Sequence, residues 1–205
     1  MGRAEKVVHP EPDHIPTADE LKKADKASIY DAEGKYVKFG TLRSEMAPFL
    51  AVFVRHWGCS SCMQYVEALI AEPQLADVRI MIIGHGAASG INQYRKATNA
   101  PPAFEIYADP EKELFGALGV TRSSLDLGPV PNYQRGSDFS VLLRAVRSML
   151  SSGTGMFKGG SFSQLGAEFY FDAQGSVTFA HRMRNTRDHT EVPQLVQAIK
   201  PSIEA

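Results

Sequence analysis

The sequence predicts an α/β protein with a mixed central sheet flanked by helices, and three observations carry that prediction. Two continuous apolar runs, PFLAVFVRHW at 48–57 and VRIMIIG at 78–84, bracket a segment of helical periodicity, the pattern of a right-handed βαβ unit. An alternating run at 167–182 then reads as a hairpin. The amphipathic EVPQLVQAIK follows it as a terminal helix. The 205 residues suffice for one domain with a full core, expected at 28–205 behind a polar tail at 1–27.

Residues 1–25 are polar, hold three prolines, and leave room for one short helix at 17–26. SIYDAEGKYVKFGTL at 28–42 places two β-prone runs around the turn dipeptide Glu33-Gly34, a hairpin signal. The run at 48–57 is too short for a helix and is bounded by turn signals, so it is expected as a central strand covered on both faces. From Cys62 onward, apolar residues recur at Tyr65, Val66, Leu69 and Ile70, one face of a helix. A second buried strand at 78–84, a helix at 88–97, the strand FEIYAD and the short helix PEKELFGALG come next. Pro110 opens that last helix and Gly119 lies near its end. Residues 121–137 are a Ser-, Gly- and Pro-rich loop leading to SDFSVLLRAVRSMLSS, whose Phe139, Leu142, Leu143, Val146, Met149 and Leu150 share a helical face. That makes 121–162 a helical insertion ahead of the terminal ββα unit, its apolar face suited to core, pocket wall or dimer contact. The hairpin turns at Gln174-Gly175; Asp188 or Thr190 is expected to cap the last helix, with Pro193 in its first turn.

Composition removes several classes of function. A net charge of -1 gives no general attraction to nucleic acid or anionic membranes. No apolar run approaches the ~20 residues of a membrane span. The first residues lack an apolar signal core, and Lys6 stands where a myristoylation signal has Ser or Thr, so a cytoplasmic location is expected.

Chemistry concentrates at GCSSC, which holds the chain's two cysteines, Cys59 and Cys62. A C-x-x-C pair reads as a redox couple, half a metal site, or inert core thiols. A zinc site lacks its other half, because His9, His14, His56, His85, His181 and His189 form no H-x₃₋₅-H pair; no metal is expected. GHGAASG at 84–90 has the spacing G-x-G-x-x-x-G rather than the dinucleotide fingerprint, so its glycines are read as tight-turn residues and no cofactor is expected. Position favours redox chemistry: the pair falls at the first strand–helix junction of a βαβ unit, ahead of a terminal ββα, which is the thioredoxin-like arrangement. Cys59 at the helix start meets free N–H groups and the positive end of the helix dipole, the setting of an acidic, exposed nucleophile. Cys62 continues the buried stripe and suits the resolving role. Arg55 and His56 are candidates to add positive potential, with strand alternation allowing only one to face the thiolate. Trp57 is expected to flatten the surface beside the site. Arg182, with Arg184, ends the last hairpin, either reaching an anionic substrate or solvated. Asp188-His189 reads as polar support for the site or as a helix cap.

In their order, GCSSC, IIGHG, FEIYADPEKELFGALGV, FKGGSFSQLGAEFYFDAQGSVTFAHR and NTRDH resemble the peroxiredoxin-like 2 group, its fungal members in particular. That group belongs to the AhpC/TSA branch of the thioredoxin-like superfamily. The resemblance covers about residues 28–200 and implies a thioredoxin-like fold, a cytosolic setting and an antioxidant or thiol-redox role. Cys59 and Cys62 carry over as the redox pair. The motif P-x-x-x-[TS]-x-x-C of typical peroxiredoxins does not, since Val52 and His56 occupy its Pro and Thr/Ser positions. SQLGAEF likewise lacks the proline that thioredoxins place opposite their cysteines.

The expected function is that of a thiol-dependent peroxidase or thiol-disulfide oxidoreductase. Cys59 attacks a peroxide or disulfide, Cys62 resolves, and a thioredoxin or glutathione system restores the thiols. The alternatives are a tailoring enzyme or small-molecule binder on the same fold, and a non-catalytic redox sensor or interaction protein.

Overall fold

The computed structural model describes residues 9–134 and 159–203. Its strands are β1 (Ser28–Tyr30), β2 (Tyr36–Lys38), β3 (Phe49–Val54), β4 (Ile80–Gly84), β5 (Glu105–Ala108), β6 (Ala167–Phe171) and β7 (Val177–Arg182). Its α-helices are α1 (Ala18–Ala24), α2 (Phe39–Met46), α3 (Ser60–Ala71), α4 (Ile91–Thr98), α5 (Glu113–Ala117) and α6 (Val192–Ile203). The strands form one mixed sheet in the order β2-β1-β5-β4-β3-β6-β7. β3 pairs parallel to β4 and antiparallel to β6, so the strand that leads to the cysteines is interior. The segment at 137–152 expected as a helical insertion lies outside the described residues. No helix among the described residues is long and apolar enough to cross a membrane.

Why β3 reads as an unbroken apolar run is visible in what covers it. Leu50, Val52 and Val54 face a core with Tyr65, Val66 and Leu69 of α3. Phe49, Ala51 and Phe53 face a second core with Phe39, Leu42 and Phe115 from α2 and α5. On that second face the rings of Phe49 and Phe171 stack at 4.6 Å, and Phe53 meets Phe115 edge-on at 4.9 Å. A strand buried on both faces has no polar side to alternate with.

Several local expectations give way to packing. The hairpin around Gly34 ends at Lys38, and the chain turns at once into α2. Phe39, Leu42 and Met46 fall on one helical face there and are buried, which outweighs the β-prone reading of KFGTL. Neither Asp188 nor Thr190 caps α6. Asp188 accepts the Arg184 N–H at 2.7 Å and pairs with that guanidinium at 3.1 Å, while the Thr190 hydroxyl donates to Glu168 at 3.2 Å.

Arg182 does not reach toward a substrate. It is 2% exposed, its Nε donates to the Leu118 carbonyl at 2.8 Å and its Nη1 to the His14 carbonyl at 2.7 Å. Its backbone N–H donates to Pro12 O at 2.8 Å, and its guanidinium lies 4.9 Å over the Phe169 ring. Arg182 thus fastens the polar segment before α1 onto the domain. α1 is itself fixed by a capping box between Thr17 and Glu20.

The glycines of GHGAASG serve packing rather than turning. A Cβ on Gly84, Gly86 or Gly90 would come within 2.5 Å of the Trp57 indole, and none of the three has a positive φ. Trp57 therefore lies buried on a floor of glycine, its Nε1 donating to Ala87 O at 3.0 Å, instead of flattening the surface. Gly84→Ala should overpack this contact and cost about 1–3 kcal/mol. The measurement is urea unfolding followed by Trp57 fluorescence, with a lowered midpoint and an unchanged slope as the expected result.

Candidate active site

β3 stops at Val54, and the five residues from Arg55 to Cys59 leave the sheet before α3 begins. Cys59 is the residue that caps α3. Its backbone is extended (φ -74°, ψ 104°), and its Sγ accepts the Cys62 N–H at 3.3 Å. Cys62 in the first turn brings its own Sγ to 2.6 Å from Cys59 Sγ, both as free thiols. Arg55 Nη1 donates to Cys59 Sγ at 3.4 Å. The same buried guanidinium donates through Nε to Gln164 O at 3.3 Å and through Nη2 to Phe162 O. Among the described residues no carboxylate pairs with Arg55, so the Cys59 sulfur is its anionic neighbour.

His56 packs edge-on against Phe162 at 4.7 Å, and its carbonyl accepts the Cys59 N–H at 3.0 Å. The returning segment thus closes over the thiols, held by the two Arg55 bonds and by Trp57 N–H donating to Gly159 O at 3.1 Å. Cys59 is consequently 3% exposed rather than open to solvent, and only marginally more accessible than Cys62. Among the described residues, no three His, Cys, Asp or Glu side chains converge as a metal site requires.

A model of the AhpC/TSA antioxidant enzymes matches residues 66–185. Peroxiredoxin-like 2C of Mus musculus is 31% identical over 180 residues, covering 83% of this chain and 76% of the relative. The chain belongs to the AhpC/TSA family. Peroxiredoxin-like 2C of Homo sapiens is similar to the same degree, 31% over 180 residues, with 83% of this chain and 76% of the relative covered. Among solved structures, a thiol peroxidase from Chromobacterium violaceum shares the fold, with a TM-score of 0.54 at 13% identity over 96% of this chain and 93% of its own. Membership supports a redox role of the oxidoreductase kind. The family match begins at Val66, beyond both cysteines, so the roles of Cys59 and Cys62 in this AhpC/TSA chain rest on their geometry.

That geometry makes two identical thiols chemically different. Burial raises the Cys59 thiol pKa. The hydrogen bond from the Cys62 thiol, the Arg55 and His56 charges and the Cys62 N–H together outweigh it and bring Cys59 well below the ordinary value. For Cys62, burial, its hydrogen bond to Cys59 and the Cys59 charge push the pKa well above it. Arg55 and His56 both act on Cys59 because they follow the strand's last residue, where alternation no longer applies. Burial lowers His56, and it lowers His85 to about 4 with help from Lys112. His85 Nε2 accepts the Ser161 N–H at 2.7 Å, beside Gly160 (φ +92°), where a Cβ would meet the imidazole at 2.6 Å.

Sequence reasoning missed the roof of the site, Phe162 and Gln164, which reach it through backbone carbonyls that carry no residue-type signal. It also missed Glu168, although a carboxylate within AEFYF is conspicuous. Arg55→Ala should raise the Cys59 pKa, since it removes the opposite charge that favours the thiolate. Alkylation rate against pH then shows its midpoint displaced upward and a slower rate at neutral pH, with Arg55→Lys displaced less.

Proposed function

We propose that the protein is a thiol-dependent peroxidase in which Cys59 is the nucleophile and Cys62 the resolving thiol. One observation carries this reading: a buried guanidinium, unpaired with any described carboxylate, donates to Cys59 Sγ at 3.4 Å. A cation so placed favours thiolate, the reactive form of cysteine. The thiolate attacks the near oxygen of a peroxide, giving Cys59 sulfenic acid and an alkoxide or hydroxide that takes a proton from solvent. Cys62 then attacks the sulfenic sulfur, the S–O bond breaks, and a Cys59–Cys62 disulfide and one water result. A dithiol of the thioredoxin class, or two glutathione thiols, returns the pair to the reduced state by exchange, which suits a reducing compartment such as the cytoplasm.

Access supports peroxide over a protein disulfide as first oxidant. At 3% exposure Cys59 suits a small linear molecule better than an in-line disulfide carried by another protein. Arg55 and His56, in place of a Thr/Ser hydroxyl, offer N–H groups to the peroxide oxygens.

The test is stopped-flow reaction of the reduced protein with hydrogen peroxide, an alkyl hydroperoxide and a disulfide, side by side. Cys59→Ser should abolish consumption of all three. Cys62→Ser should keep the first attack and accumulate sulfenic acid, captured by dimedone. If Cys59 reacts with none of them faster than a free cysteine does, the peroxidase reading is wrong and the binder reading replaces it.

A further inference from the structure

The segment that returns before β6 lies over the thiols as a strap, and its fastenings differ in kind. From Ser163 onward it is held by loop backbone: Ser124 N–H donates to Ser163 O at 2.8 Å, and Leu165 N–H to Arg122 O at 3.1 Å. Residues 159–162 are fastened at three points. Trp57 N–H donates to Gly159 O at 3.1 Å, Ser161 N–H donates to His85 Nε2 at 2.7 Å, and Arg55 Nη2 donates to Phe162 O. The first is backbone to backbone. The third belongs to the guanidinium that also meets Cys59 Sγ, which sets the strap beside that sulfur. His85 is the side-chain fastening that stands apart from the sulfur chemistry.

The contact at His85 depends on a close approach. Gly160 has a φ of +92°, which glycine adopts freely, and a Cβ there would come within 2.6 Å of the imidazole. The ring therefore lies against bare backbone. Phe115 of α5 packs on it edge-on at 5.5 Å and is itself edge-on to Phe53 of β3 at 4.9 Å. His85 directly follows Gly84, the last residue of β4, so an interior strand carries the ring. A backbone N–H can only donate, so Nε2 is the acceptor and the ring proton sits on Nδ1, which is buried without a partner. Burial lowers the imidazole pKa to about 4, with Lys112 adding to the effect, which keeps the acceptor lone pair free at neutral pH.

We propose that His85 is the clasp that sets the size of oxidant the site accepts. By holding residues 159–162 over Cys59 it admits hydrogen peroxide and small unbranched hydroperoxides, and it excludes bulky hydroperoxides and protein disulfides. The inference deepens the peroxidase reading above and rests on it for its oxidants. Cys59 is 3% exposed, so a small molecule reaches it past the closed strap. A bulky one must wait for residues 159–162 to lift, a local opening whose population the fastenings set. His85 touches no reacting atom and acts through the strap, as a positioning residue. Cys59 Sγ is met by Arg55 and Cys62, and these with His56 hold it acidic, so the clasp can be undone with the nucleophile left as it is.

The experiment compares reagents of two sizes on the full, reduced chain. Alkylation of Cys59 by iodoacetamide and by a fluorescein maleimide is timed by mass spectrometry, beside stopped-flow oxidation by hydrogen peroxide and by cumene hydroperoxide. His85→Phe keeps a ring against Phe115 and removes the acceptor. One hydrogen bond fewer raises the open population about three- to tenfold, so the maleimide and cumene hydroperoxide rates should rise by that factor. The iodoacetamide and hydrogen peroxide rates should stay within about twofold, with the pH midpoint of Cys59 alkylation unmoved. His85→Gln, whose amide oxygen accepts the Ser161 N–H in place of Nε2, should restore the native size preference. Gly160→Ala drives a Cβ into the imidazole and lifts the strap from its other side, so it should repeat the His85→Phe result and decides the matter if His85→Phe does not fold. An equal change for both sizes of reagent, or no change in either variant, overturns the clasp and leaves the peroxidase reading intact. A native Cys59 that is alkylated but oxidised by neither peroxide overturns the peroxidase reading and the choice of oxidants with it, while the two alkylation rates still decide the clasp.

Discussion

The bond from the Arg55 guanidinium to Cys59 Sγ organises what surrounds it. A charge held this far from water costs several kcal/mol unless it is met by dipoles and an opposite charge. Arg55 meets that demand with the carbonyls of Phe162 and Gln164 and the sulfur of Cys59. One side chain therefore joins three separate stretches of chain: the exit of β3, the start of α3 and the segment returning before β6. The roof over the thiols and the acidity of Cys59 have a common origin.

Beside these side chains, the backbone adds its own share to the difference between the thiols. A helix leaves its first N–H groups unpaired, and a cysteine in the capping position presents its sulfur to them. Three residues on, the same side chain looks into the core. Burial acts on both sulfurs in the same direction, so it cannot separate them. The separation comes from the donors that converge on Cys59, while Cys62, beyond burial, gives its own proton to that sulfur and faces its charge.

Much of this was legible in the residues. The two-sided apolar runs of β3 and β4, the stripe from Cys62 to Leu69 and the Gln174-Gly175 turn each carry a period or turn signal that survives folding. What was not legible depends on partners distant in sequence. Arg182 looks solvated at a strand end until residues 11–14 lie across it. The GHGAASG glycines look like turn residues because their reason, the Trp57 indole, lies some thirty positions earlier. α2 shows a different failure: Phe39, Leu42 and Met46 were available as a helical face but stood beside a stronger strand signal. At the site, Cys59 and Cys62 were identifiable from spacing and position, whereas its closure was not, because carbonyl oxygens make it.

A guanidinium that pairs with no carboxylate among the described residues has an electrochemical consequence. While Cys59 is a thiolate the pair is neutral as a whole; once that sulfur is bonded to Cys62, the positive charge stands uncompensated in the interior. In the proposed cycle each oxidation would move the site from a balanced to an unbalanced electrostatic state, and the imbalance would favour the return of electrons. A thiol couple whose reduced form is stabilised in this way has a high potential. Under the proposed function, a Cys59–Cys62 disulfide would be readily surrendered to a dithiol, making this a site that empties quickly rather than one that stores the oxidised state.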